Sequence, residues 1–216
     1  MMNKIPKLLF FIFFVKPVVF IILGLNIRGR NNLPLTGPAI IVANHNSHLD
    51  TIVIMSLYPL SKLHKIRPVA AADYFLSHPL LKWFSLNCID IVPIKRNSQL
   101  KKSDLFQECH TALNKDDVLI IFPEGTRGAP EEIGRIKHGI FHLAQERNDT
   151  QIIPLVTHGL GKSLPRGEAL LVPFNCDVII GTKLPPETTR ETFIENLSNA
   201  FNDLLKYCLT RNNAER

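Results

Sequence analysis

Apolar residues fall into distinct kinds of run along this chain, and each kind predicts a different element. The first 25 residues are almost continuously apolar: Lys4 and Lys7 precede the run 8–15, Lys16-Pro17 interrupts it, and 18–25 resumes it. Beyond Pro38 the apolar runs shorten and fill with Val and Ile, at 39–43, 67–71, 89–94, 118–122, 152–156 and 178–181. Runs of that length and make-up predict buried strands. Between them 52–60, 79–86, 100–113 and 138–147 read as helices. Phe193, Leu197, Phe201, Leu204, Leu205 and Cys208 put one apolar stripe on a last helix that begins near Pro186-Glu187. Strands alternating with helices predict an α/β domain, a mixed central sheet flanked by helices, over 27–216. A separate helical segment over 1–26 precedes it, and 26–38 forms the join.

The leading segment is a different material from the rest. A straight helix over 8–25 would reach about 27 Å, just short of a hydrocarbon core of about 30 Å. Lys16 near its middle would cost roughly 2.5–3.5 kcal/mol on insertion scales, and Pro17 lacks the backbone donor. Lys7 and Lys16 lie about 180° apart around an ideal helix, so no straight polar face holds both. The expectation is a bent pair of helices half-embedded in a membrane surface. A single span and a buried core helix are the alternatives. A cleaved signal peptide would need a small-x-small site, which Gly24-Leu25-Asn26 does not supply.

Composition narrows the partners. With 216 residues, 45% of them hydrophobic, the chain can bury one real core. Lys and Arg number 25 against 19 acidic residues, net +6, a balance that suits anionic lipid, phosphorylated substrates or nucleic acid. No zinc-finger spacing, aromatic ribonucleoprotein motif or basic heptad is present, so nucleic acid is not an expected partner. Cys88, Cys109, Cys176 and Cys208 lie far apart with no C-x-x-C pair, as expected of buried thiols in a reducing compartment.

The chemistry concentrates in two segments, Asn44-His45-Asn46-Ser47-His48-Leu49-Asp50 and Phe122-Pro123-Glu124-Gly125-Thr126-Arg127. An imidazole, with an ordinary pKa of about 6.5, takes up a proton near neutral pH, and a carboxylate fixes which ring nitrogen does so. On one continuous helix His45 and Asp50 would sit about 140° apart and not meet. A strand ending at Ala43 and a helix starting near Ser47 bring them together, with Ser47 as N-cap and Ser47-x-x-Asp50 as a short-armed capping box. His45, His48 and Asp50 also offer metal-ligand chemistry, the basis of a rival reading as a metal-dependent hydrolase. In the second segment Pro123 restricts the backbone and Gly125 frees it, a tight turn that aims Glu124 and Arg127 into one cleft. Arg127 is the residue type that grips phosphate with a two-point fork.

These segments, in this order and spacing, resemble the glycerolipid acyltransferase family that contains 1-acylglycerol-3-phosphate acyltransferase. The resemblance extends over about 27–184 and takes in two weaker blocks, Ile91-Val92-Pro93-Ile94-Lys95-Arg96 and Ile152-Ile153-Pro154-Leu155-Val156. It implies His45 as general base with Asp50 orienting it, and substrate binding by Arg96, Glu124, Gly125, Thr126, Arg127 and Lys137. It implies no cofactor: the acyl donor, acyl-CoA or acyl carrier protein, is itself a substrate. The implied acceptor is a lysophospholipid, and the implied location is a membrane surface with the active domain on the cytoplasmic side. Lys95 stands where an acidic residue is commoner, which leaves room for another lysolipid acceptor such as a lyso-aminolipid. A membrane-tethered lipid-binding protein without turnover would show loss of His45 or Asp50, and both are present.

Overall fold

The computed structural model of the protein describes residues 4–95, 105–128, 131–163 and 174–212. It opens on one uninterrupted helical run. An α-helical start, α1 (Ile5–Phe10), passes into π-helical turns at Phe11–Val15 and Val18–Ile22. Strand β1 (Gly24–Arg28) follows, then β2 (Ala39–Ala43), α2 (Leu49–Ser56) and β3 (Ile66–Ala71). Next come α3 (Ala72–Phe75), α4 (Pro79–Phe84) with a π turn at Ser85–Ile89, and β4 (Val92–Ile94). The remainder is α5 (Gln107–Leu113), β5 (Val118–Ile121), α6 (Gly139–Glu146), β6 (Gln151–His158), α7 (Leu160–Ser163), β7 (Asn175–Ile180), α8 (Arg190–Leu205) and α9 (Leu209–Asn212).

The seven strands form one sheet in the order β1-β7-β6-β2-β5-β3-β4. β6, β2, β5, β3 and β4 run parallel, and β7 with its parallel neighbour β1 runs against them. The sheet is therefore mixed, as the sequence predicts. The pleat divides the centre in two: Ala39, Ile41 and Ala43 of β2 enter one core, while Ile40 and Val42 enter the other. The first core is covered by the N-terminal helical run and α2, the second by α5, α6 and α8. A strand covered on both faces has no polar side to show, which is why Ala39–Ala43 is wholly apolar.

Several expectations need correction. The strand expected at 89–94 begins only at Val92, because Asp90 takes a left-handed φ of 64° and turns the chain. Its carboxylate is held there by Arg67 at 3.1 Å and Lys7 at 3.5 Å. β1 lies where a join was expected, and the expected domain boundary between 26 and 27 falls inside it. Its half-exposed edge position and its Gly24 and Asn26 give no strand pattern; the register against β7, from Gly24 on Asn175 to Arg28 on Ile179, holds it. The last helix starts at Arg190, later than Pro186-Glu187, with Thr189 capping it by accepting from the Thr192 N–H at 3.3 Å. Residues 100–104 of the expected helix 100–113 lie outside the described residues.

The leading segment is helical but not separate. Lys7, Phe11, Val15, Val19 and Leu23 recur every four residues and are all buried. On a helix of 3.6 residues per turn a strict spacing of four drifts around the axis. The π turns, with their wider i→i+5 bonding, take up that drift and keep the stripe against α2 and the sheet. Pro17, which lacks a donor, sits between the two π turns, and the helix passes through it. Among the described residues no helix is long and apolar enough to cross a membrane.

Candidate active site

β2 delivers the first segment to the C-terminal end of the parallel strands, where sites of α/β sheets gather. The backbone leaves β2 at Ala43, turns through Asn44 to His48, and enters α2 with Asp50 in its first turn. The turn closes on the Asp50 carboxylate. Its Oδ2 accepts from the N–H groups of Asn46 and Ser47, each at 2.8 Å, and lies 3.0 Å from His45 Nδ1. Capping and orienting are thus one structure: the acid that satisfies the turn's backbone also holds the imidazole. Ser47 contributes less than an N-cap would, its Oγ accepting from Leu49 N–H at 3.3 Å, and the helix cap position falls on His48.

Asp50 is fully buried, and its other oxygen, Oδ1, accepts from Thr157 Oγ1 at 3.1 Å. Thr157 is fixed in turn by Asn44, whose Oδ1 accepts from Thr157 N–H at 2.8 Å while its Nδ2 donates to Thr157 O at 2.9 Å. Sequence reasoning missed Thr157. It lies at the end of β6, two residues past Leu155, the register partner of Ala43, so only the pairing of β2 with β6 reveals it. A carboxylate only accepts, so the His45 nitrogen that faces Asp50 carries the proton and Nε2 is left with its lone pair. The His45 ring, about one-fifth exposed, stacks on Phe122 with centroids 4.1 Å apart.

Phe122 opens the second segment at the end of β5, next to β2 in the sheet. The two segments are bonded backbone to backbone and through Glu124. Gly128 N–H donates to His45 O at 3.0 Å, and His45 N–H donates to Glu124 Oε1 at 2.9 Å. Glu124 Oε2 accepts from Gly134 N–H at 3.0 Å. With 4% of Glu124 exposed, both its carboxylate oxygens serve the protein's own backbone. Glu124, expected to contact substrate, is a brace behind the site. Burial pushes its pKa up, against the lowering effect of the His45 and Gly134 N–H groups.

Gly125 has a φ of 71°, and a Cβ there would meet Lys137 Nζ at 2.6 Å, so Lys137 lies directly across the turn. Lys137 N–H donates to Pro123 O at 2.9 Å, which pins that lysine's backbone to the turn. Thr126 is exposed and Arg127 half-buried on the same turn. His48 is exposed overall, yet partial desolvation of its ring, with the charges of Arg127 and His45 beside it, holds its pKa below the ordinary histidine value. The structure thus gathers His45, Asp50, Gly125, Thr126, Arg127 and Lys137 around the adjoining ends of β2 and β5; Arg96 lies outside the described residues. Among the described residues no three His, Cys, Asp or Glu side chains are arranged to hold a metal ion.

This arrangement pairs a fixed imidazole with a cationic turn, and known proteins share the fold around it. The 1-acyl-sn-glycerol-3-phosphate acyltransferase of Chlamydomonas reinhardtii is 33% identical over 164 residues, 74% of this chain and 46% of that protein. A chloroplastic enzyme of the same name from Arabidopsis thaliana is 32% identical over 158 residues, 72% of this chain and 42% of its own length. The chain thus spans about half the length of the curated relatives it matches. The solved 1-acyl-sn-glycerophosphate acyltransferase of Thermotoga maritima shares the fold, with a TM-score of 0.72 at 18% identity over 89% of this chain and 76% of that one. The sequence pattern of the acyltransferase family matches residues 24–158, from the first residue of β1 to the last of β6. The chain belongs to the acyltransferase family.

Proposed function

We propose that the protein moves a fatty acyl group from a thioester, acyl-CoA or acyl carrier protein, to the free hydroxyl of a lysophospholipid, 1-acylglycerol-3-phosphate, giving phosphatidic acid. The observation that carries this reading is the His45–Asp50 couple, bonded at 3.0 Å and tied through Glu124 to the turn that bears Arg127. His45 Nε2 takes the hydroxyl proton as the oxygen attacks the thioester carbonyl. The C–S bond of the tetrahedral intermediate then breaks, and the proton leaves with the thiolate. The couple needs no serine or cysteine nucleophile, and the buried thiols fit none: burial pushes Cys109 and Cys208 up to about 12, leaving little thiolate. Arg127 and Lys137 supply positive potential beside the base, where the acceptor phosphate would sit. The relatives' names support this acceptor class, and the exposed apolar side of the N-terminal run supports work at a membrane surface.

The test is transfer by the purified protein from labelled acyl-CoA and acyl carrier protein to lysophosphatidic acid, read by mass spectrometry. His45→Ala should fold and lose about 10²–10⁴ in turnover; full activity in that variant would sink the mechanism. Arg127→Ala should lose heavily on lysophosphatidic acid and little on an uncharged monoacylglycerol. Equal losses on both would mean that Arg127 shapes the turn and does not bind phosphate.

A further inference from the structure

Two asparagines flank the candidate base, and the structure treats them oppositely. Both ends of the Asn44 amide are bonded to Thr157, Oδ1 accepting from its N–H at 2.8 Å and Nδ2 donating to its carbonyl at 2.9 Å. Asn46 is 7% exposed, its Nδ2 and Oδ1 are closed from water, and neither bonds to any described residue. An amide taken out of water without a partner weighs against folding, and native proteins keep few such groups. The places that tolerate the cost are above all functional sites. Tyr58 Oη is likewise buried without a partner among the described residues, but it lies past the far end of α2 from His45.

The backbone around Asn46 is already committed. The N–H groups of Asn46 and Ser47 donate to Asp50 Oδ2, and that of His45 donates to Glu124 Oε1. His45 O, the carbonyl before Asn46, accepts from Gly128 N–H at 3.0 Å. Asn46 is thus pinned by its backbone on both sides, and no backbone N–H from His45 to Ser47 is left to meet a substrate. Attack on a thioester puts negative charge on the carbonyl oxygen, and that oxygen needs donors in a site shielded from water. Over His45 to Ser47 the Asn46 amide is the N–H donor with no bond of its own to keep.

We propose that Asn46 is a further catalytic residue, whose side-chain Nδ2 donates to the thioester carbonyl oxygen as that oxygen becomes an oxyanion. This inference rests on the reading of the reaction as acyl transfer from a thioester. The acceptor oxygen bonds the carbonyl carbon, its proton passes to His45 Nε2, and the carbonyl electron pair moves onto the oxygen that Asn46 holds. The C–S bond then breaks with its pair on sulfur, the C=O bond re-forms, and the proton passes from His45 to the thiolate. The amide has no hydrogen bond to lose on turning toward the substrate, and it sits one residue from the base. A change of rotamer on a fixed backbone is enough to bring it into play.

The test is thiol release from acyl-CoA by the full-length protein, beside urea unfolding. Asn46→Leu, close to asparagine in volume, should raise the urea midpoint, since it removes an unpartnered polar group, and lower kcat by about 10²–10³. Tyr58→Phe should raise the midpoint and keep kcat. Asn46→Ala, which cannot overpack, should match the leucine variant in turnover per folded molecule. The oxyanion forms whichever hydroxyl attacks, so release to lysophosphatidic acid, to an uncharged monoacylglycerol and to water should fall by the same factor, with both KM values little changed. That separates Asn46 from a phosphate-binding group, whose loss depends on the acceptor. Turnover equal to wild type in Asn46→Leu and Asn46→Ala would overturn the proposal. So would a loss confined to one acceptor, or a lowered midpoint in both variants with turnover falling only in step with the folded fraction. The thioester reading fails by a separate sign, a wild type that releases no thiol under any of the three conditions, and it takes this inference with it. Wild-type release to water alone would refute the lysophospholipid acceptor, and an Asn46→Leu loss on that hydrolysis would still bear the inference out.

Discussion

Asp50 and Asp90 are both buried acids, at opposite ends of the same parallel strands, and they are held by opposite chemistry. Asp50 is surrounded by neutral donors, two backbone N–H groups and the Thr157 hydroxyl, plus one imidazole. Asp90 is surrounded by cations: Arg67 at 3.1 Å, Lys7 at 3.5 Å and Lys4 at 3.9 Å. Neutral donors fix a carboxylate without cancelling its charge, which leaves that charge facing His45 Nδ1 at 3.0 Å. Cations cancel it, and because Lys7 and Asp90 are 83 residues apart they bind the leading helix to the domain. One arrangement orients an imidazole and the other closes a fold.

The comparison breaks most visibly on removing each charge. Asp50→Asn should keep the fold and lose about 10²–10⁴ in turnover, the range of positioned acid–base groups. Asp90→Asn should keep turnover per folded molecule and lose about 3–5 kcal/mol of stability, because Lys7 is left buried without its counter-charge, while Arg67 keeps Asp117 at 3.6 Å. Urea unfolding beside acyl-transfer rates separates the two. Two variants equally inactive once corrected for folded fraction would erase the distinction.

The same contrast explains what was legible in the sequence. Asp50 lies five positions from the histidine it serves, so a local turn argument found the couple. β2 and β5, at the centre of the sheet, are wholly apolar runs, as strands covered on both faces are, and so are legible in the sequence. Asp90, Lys7 and Thr157 act across 23 to 113 residues of chain, and no local pattern carries such a contact. The leading segment misled for a related reason: the stripe Lys7, Phe11, Val15, Val19 and Leu23 is read as a face only if the helix holds a four-residue repeat, which the π turns make possible. Glu124 takes a substrate role only from the family resemblance; its bond to the His45 backbone, 79 residues away, leaves no local pattern.

Thr157 sharpens the comparison on the catalytic side. If the Asp50 charge must be aimed as well as present, Thr157→Val should lower turnover about tenfold, in line with roughly 1.5 kcal/mol or more for a hydrogen bond to a charged group. The acceptor KM should hardly move, because Thr157 is buried behind Asp50 and touches no substrate. Thr157→Ser, which restores the hydroxyl, should recover most of the loss. A valine variant with wild-type turnover would show that the two backbone N–H groups suffice to hold Asp50.

The smallest effect tests the cationic end, through pH. Burial lowers the Lys7 pKa to about 8 from 10.5, with Asp90 opposing the shift. Below about 8 the lysine is charged in both folded and unfolded chains, and its burial weighs fully against folding. Between about 8 and 10.5 the folded chain sheds the proton first, so the unfolding free energy rises with pH, by about 1 kcal/mol between pH 7 and 9. The buried thiols pull the other way, since Cys109 and Cys208 keep their protons up to about 12 while free thiols ionise near 8.5. Lys7→Met keeps those thiols and loses only the lysine. Urea unfolding of both proteins should therefore show wild type gaining on Lys7→Met across that window, and two parallel curves would mean that Asp90 holds Lys7 fully charged within the core.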